Sequence, residues 1–156
     1  MHESDEGVEV MAGTADPGLR WAVFVSGDEH ELFTMLHVYS GDKLVAGSGF
    51  GGPALYPGSL INEYRGRTDD LPWFVMARTV PVVDRVVATT DKGREIALTL
   101  SPPIEQFGLR FAVAPLPAGE RPGSIRIERD GVVLESAQQW VGPPPPFTGA
   151  GWVPNA

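Results

Sequence analysis

His30 has the densest set of chemical neighbours in the chain, with Asp28, Glu29 and Glu31 beside it. An imidazole among carboxylates is the raw material of a divalent-metal site or an acid–base pair. The spacing stops short of either. His30-Glu31-Leu32-Phe33-Thr34 places Thr34 where HExxH needs its second histidine. His37 lies seven residues further on, which on a strand means the opposite face. A turn histidine and a packed or surface histidine account for both without a ligand.

Gly47-Ser48-Gly49-Phe50-Gly51-Gly52 matches GxGxxG after an apolar stretch. In a nucleotide-binding fold such glycines let the backbone approach a pyrophosphate held at a helix N-terminus. Here Pro57 would interrupt a helix opened by Pro53 almost at once. Asp69 and Asp70 stand near the distance of a ribose-binding acid but follow no strand. A glycine-rich strand end or bulge fits the segment better. Cysteine is absent, which removes thiol nucleophiles and cysteine-ligated metals together. Serines, histidines and carboxylates occur without a GxSxG elbow. We therefore expect no enzyme, no metal and no cofactor.

The charge balance narrows the partners. Acidic side chains number 20 against 12 basic ones, for a net charge of −8. Such a field repels phosphate backbones and anionic membranes, so neither nucleic acid nor membrane is an expected partner. No stretch approaches the roughly 18 apolar residues that span a bilayer. The start, Met1-His2-Glu3-Ser4-Asp5-Glu6, is acidic where a signal peptide is basic, and the expected location is cytoplasmic. Arginine outnumbers lysine ten to two, and valine outnumbers isoleucine seventeen to five, a bias common in GC-rich bacterial genomes.

The elements that would carry any site are read from periodicity. Trp21-Ala22-Val23-Phe24-Val25 and Lys43-Leu44-Val45-Ala46 are short, β-prone and bounded by turns. Between them, Leu32, Met35, Leu36 and Tyr39 suit a helix that a capping box at Asp28 and Glu31 would start. Phe33, Met35, His37 and Tyr39 equally line one strand face, and the strand is favoured because two tight turns leave little room for a helix. Further strands are expected at Trp73–Ala77, 82–90, 94–100, 107–113, Ser124–Glu128 and Val132–Glu135. Ile96, Leu98 and Leu100 alternate with polar or small residues at period two. Gly93 suits a tight hairpin loop, and Asp130-Gly131 is among the strongest two-residue hairpin signals.

The resulting expectation is an all-β chain: an antiparallel β-sandwich or small barrel of about nine strands with little or no helix. Residues 1–18 are expected as an acidic tail that could hold a short edge strand at Val8-Glu9-Val10, 19–141 as the sandwich, with the loop from Gly51 to Leu71 as the boundary should the chain hold two small sheets, and 142–156 as a Pro/Gly-rich tail. That last segment carries Pro143-Pro144-Pro145-Pro146-Phe147, which imposes extended polyproline II geometry. It would serve as a spacer or as a ligand for an aromatic-lined groove.

The stretch from Met76 to Ser136 resembles an immunoglobulin-like β-repeat of uncharacterised bacterial proteins. The likeness rests on Val83-Asp84-Arg85-Val86-Val87, the turn Asp91-Lys92-Gly93-Arg94, Leu109-Arg110-Phe111-Ala112-Val113 and the hairpin at Asp130-Gly131. It implies an all-β module and brings no catalytic residues.

Function is then expected to reside in loops on a scaffold. The long polar loop from Gly51 to Leu71 offers Arg65, Arg67, Asp69 and Asp70 as binding residues, with Trp152 near the end of the chain as another. The leading expectation is a non-catalytic module that binds another protein, with a homo-oligomer as a further option. The alternative is a small-molecule or metal-binding protein, or an enzyme, using a pocket near residues 47–52 with His30 or His37.

Overall fold

The computed structural model describes residues 3–4 and 7–137. The expected C-terminal tail, with its proline tract, Trp140 and Trp152, lies outside them. All described regular structure is β: β1 (Glu3–Ser4), β2 (Gly7–Ala15), β3 (Leu19–Gly27), β4 (Leu32–Ser40), β5 (Lys43–Phe50), β6 (Ile61–Gly66), β7 (Phe74–Thr79), β8 (Arg85–Thr90), β9 (Glu95–Ala97), β10 (Thr99–Leu100), β11 (Arg110–Pro115), β12 (Pro122–Arg129) and β13 (Val132–Ala137). These thirteen strands form three antiparallel sheets in two compact units, which divide after Ala54.

The first unit is a five-stranded meander, β1-β2-β3-β4-β5. The stretch 31–39, ambiguous in sequence, forms all but the last residue of β4 (Leu32–Ser40), which lies between β3 and β5 and pairs with β3 along nine residues. The acidic N-terminus expected as a tail supplies β1 and β2 instead. Its periodicity is hidden by a bulge: Glu9 pairs with Phe24 and Met11 with Val23, leaving Val10 as the extra residue that flips the alternation. Gly13 contributes too, because a Cβ there would lie 2.4 Å from the Trp21 ring. One face of this sheet carries Trp21, Val23, Val25, Leu32, Leu36 and Val38, all buried.

The second unit is a sandwich of two four-stranded sheets, β10-β11-β7-β6 and β13-β12-β8-β9. Val75, Ala77, Ala112 and Ala114 from the first sheet meet Val86, Ala88, Ile125 and Ile127 from the second in one core. The single strand expected over 94–100 serves both sheets: β9 pairs with β8, and β10 with β11. Leu98, buried between them, donates its amide to the Val86 carbonyl at 2.8 Å. The alternation of Ile96, Leu98 and Leu100 survives the switch because all three pack on the same core.

The hairpin expectations hold in detail. Gly93 has φ +78°, and Asp130 and Gly131 have φ +51° and +79°, the left-handed pair that a type I′ turn requires. Two boundaries move. The 19–141 domain is divided between two units, and the expected loop from Gly51 to Leu71 contains β6. Strand β6 reads as loop because its residues are polar, yet it is buried nearly throughout. The nine expected strands become thirteen because β1, β2 and β6 are added and one strand divides.

Candidate functional site

Three connections of the second unit are tied together at one end of its sandwich. The β8–β9 loop and the β11–β12 loop clasp each other through one backbone pair and one backbone-to-carboxylate bond. The amide of Asp91 donates to the Arg121 carbonyl at 3.0 Å, and the amide of Arg121 donates to Asp91 Oδ1 at 2.9 Å. Beside this clasp lies Glu120, buried although it is a carboxylate. Thr90 Oγ1 donates to Glu120 Oε1 at 2.6 Å, and Arg94 Nε donates to Oε2 at 3.0 Å. The threonine hydrogen bond holds the carboxyl below its ordinary range; burial opposes this, and Arg94 adds to the lowering. The same Thr90 hydroxyl accepts from the amides of Lys92 and Arg94, which fixes the hairpin loop.

The β6–β7 connection completes the end. Leu71 donates its amide to the Thr68 carbonyl at 3.0 Å, closing a turn in which Asp69 has φ +47°. Aspartate tolerates that left-handed backbone better than most side chains. Trp73 leaves the turn with its ring half-buried against the sandwich core, and its carbonyl accepts from the Leu116 amide. The Arg67 guanidinium stands over the Trp73 ring at 5.7 Å and that of Arg121 at 6.0 Å. An indole flanked by two guanidiniums is a cation–π arrangement worth about 0.5–1 kcal/mol per exposed contact. It leaves both guanidiniums at the surface with donors free to turn outward.

Of the expected binding residues, Arg67, Asp69 and Asp70 are exposed in this connection. Arg65 is not. It points inward from β6, where its Nη2 donates to Glu63 Oε1 at 2.7 Å and the two side chains are 2% and 3% exposed. Its Nη1 is buried without a hydrogen-bond partner. The register explains this: Glu63 pairs with Ala77 and Arg65 with Val75, residues of the sandwich core. Trp152 lies outside the described residues. Trp73 and Arg121, which sequence reasoning did not select, complete the cluster, and only the sheet order brings Arg121 beside a residue 48 positions earlier.

The histidines and glycines considered for chemistry separate in the structure. His30 is exposed in the β3–β4 turn, where Asp28 Oδ1 accepts from the amides of His30 and Glu31. The apparent capping signal is thus an Asx-type turn between strands. Those two bonds hold Asp28 below the usual carboxylate range. His37 sits in mid-strand, its ring 5.0 Å from that of Phe24, with Tyr39 Oη 3.4 Å from its Nδ1. Gly49 and Gly51 lie close against their neighbours: a Cβ on Gly49 would meet the Thr34 carbonyl oxygen and, at 2.7 Å, Met35 Sδ, and one on Gly51 would meet the Phe33 ring at 2.9 Å. Among the described residues, no three His, Asp or Glu side chains gather as a metal site.

Across the outer face of the β13-β12-β8-β9 sheet runs a charged network. Arg126 donates to Glu95 and to Glu128, each at 2.7 Å, and Arg85 stands 3.6 Å from Glu128. Its hydrogen bond from Arg126 holds Glu95 below its usual range, and its partners raise Arg126. Val87, which shares that face, is fully buried. Comparison of the chain with protein-family models, curated proteins and solved structures finds no match.

Proposed function

We propose that this chain is a non-catalytic protein-interaction module whose second unit, an immunoglobulin-like sandwich, presents the Arg67–Trp73–Arg121 end to another protein. The observation that carries this reading is the cross-tied loop end. Asp91, Glu120 and Thr90 tie the β8–β9 and β11–β12 loops, and the Leu116 amide joins them to Trp73, a half-buried indole that two surface guanidiniums flank. Aromatic and arginine side chains on a pre-organised support are the composition of an interface hot spot. Arginine there suits a partner that offers carboxylates in forked geometry.

The test is affinity capture from the native cell extract with the wild-type chain and the Arg67→Glu/Arg121→Glu variant in parallel. A partner enriched by wild type and lost from the variant supports the reading. Identical captured sets, or none, overturn it. Arg65 is unsuitable for this test, because reversing a buried charge would compromise the fold.

A further inference from the structure

The loop end of the second unit gathers positive charge that the fold does not use. Most arginines are committed within the chain: Arg65 to Glu63, Arg94 to Glu120, Arg126 to Glu95 and Glu128, and Arg110 to the Pro81 carbonyl. Among the described residues, the side chains of Arg67, Lys92 and Arg121 enter no hydrogen bond or ion pair, and all three are exposed. Lys92 stands in the clasped β8–β9 loop, its amide on the Thr90 hydroxyl that also bonds Glu120. In a chain of net charge −8 uncommitted cations are scarce, and three of them share these loops.

The acids of the same loops are unequal. Glu120 is buried and held by Thr90 and Arg94, and Asp91 Oδ1 is held by the Arg121 amide. Asp69 and Asp70 are exposed in the turn before Trp73 and oppose an anionic ligand. Spacing adds a second constraint. The Trp73 ring centre lies 5.7 Å from the guanidinium carbon of Arg67 and 6.0 Å from that of Arg121. Side chains on one face of an extended peptide recur about every 6.6 Å, at alternate residues.

From the uncommitted cations and this spacing we infer that the partner's contact segment is an extended acidic peptide, with two carboxylates four residues apart and an apolar residue midway. The inference rests on the loop-end reading above and adds the partner's chemistry to it. The apolar side chain packs on the indole, and the carboxylates take the outward donors of Arg67 and Arg121 in charge-assisted pairs. Lys92 adds a third positive charge beside them. Arg121 is anchored by its backbone clasp and Trp73 through the Leu116 amide, so the support needs little ordering on binding. Asp69 and Asp70 keep the affinity modest, and added salt screens the pairs.

Selection of random displayed heptapeptides on the immobilised full chain tests the proposal. The chain's net charge repels acidic peptides in general, so their enrichment reports a local site. The expected consensus carries Asp or Glu at both ends of a five-residue span and an apolar residue at its centre. In titration calorimetry, replacing both acids of a synthetic consensus peptide by Gln, or using the Arg67→Gln/Arg121→Gln chain, should weaken binding about tenfold. Asp69→Asn/Asp70→Asn should bind the peptide more tightly than wild type. Both arginines are exposed, and circular dichroism verifies that the variants keep their strands. A basic or neutral consensus, no enrichment, or acidic peptides that bind the arginine variant equally well overturns the proposal, as does weaker binding after loss of Asp69 and Asp70. A neutral or basic consensus that still depends on Arg67 and Arg121 sinks the acidic assignment while leaving the loop-end reading in place; that reading fails instead if capture from extract is insensitive to both arginines.

Discussion

Arg65→Ala should destabilise the chain far more than Arg67→Ala, although the two arginines stand two residues apart. The Arg65 guanidinium is 2.7 Å from Glu63, with both side chains almost wholly excluded from water. Deleting it takes from the buried Glu63 carboxylate, on the inner face of β6 beside Ala77 and Val75, the cation 2.7 Å away. Removing one partner of a buried pair costs about 3–5 kcal/mol. Strand β6 is an edge of its sheet, which lets the Glu63 carboxylate relax toward water and favours the lower figure, about 3 kcal/mol. At this chain length, about 2–4 °C of melting temperature accompanies each kcal/mol, a loss of about 6–12 °C. Arg67 is exposed, and its truncation removes one cation–π contact worth about 0.5–1 kcal/mol. The double replacement Glu63→Leu/Arg65→Met removes both charges and should recover most of the loss, to within about 1 kcal/mol of wild type. Urea unfolding followed by tryptophan fluorescence measures all three. An Arg65→Ala loss below about 1 kcal/mol, or a double variant no better than the single one, would refute the reasoning.

Other consequences follow from particular contacts. Glu120 has a folded-state pKa below its unfolded value, so the stability it contributes is full above the ordinary glutamate range and is lost as pH falls through the depressed value. Chemical denaturation between pH 6 and pH 3 should show that loss, and Glu120→Gln should flatten it; an unchanged slope would count against the assignment. Leu98→Ala opens a cavity where the chain changes sheets and should cost about 2–5 kcal/mol in the same urea assay. Gly131→Ala forces a Cβ onto φ +79° and should cost about 1–2 kcal/mol, whereas Gly47→Ala, with open space and an extended backbone, should cost less than 1.

Those same residues show what the sequence reveals and what it conceals. Strands with clean alternation or strong turn chemistry are legible: β12 and β13 around Asp130-Gly131, and the Ile96–Leu98–Leu100 series. Strand β2 is concealed because the bulge at Val10 breaks its period and Gly13 supplies no side chain. Strand β6 is concealed because Glu63 and Arg65 neutralise each other on its buried face. A single sequence prices such residues as exposed, and only pairing with β7 shows otherwise. The candidate site was half visible: Arg67, Asp69 and Asp70 could be read as a loop. Trp73 looked like the first residue of a strand, and Arg121 enters the cluster through the order of the sheets, which local pattern does not encode.

The central claim is that recognition occurs at the cross-tied loop end. Amide hydrogen exchange of the chain, free and bound to the partner recovered by capture, tests it most directly. Free, the amides of Asp91, Arg121 and Leu71 should already exchange slowly, because each donates a hydrogen bond within the chain. Bound, added protection should concentrate at residues 66–73 and 117–121. Fast exchange at those three amides in the free chain, or a footprint confined to other residues, would contradict the account.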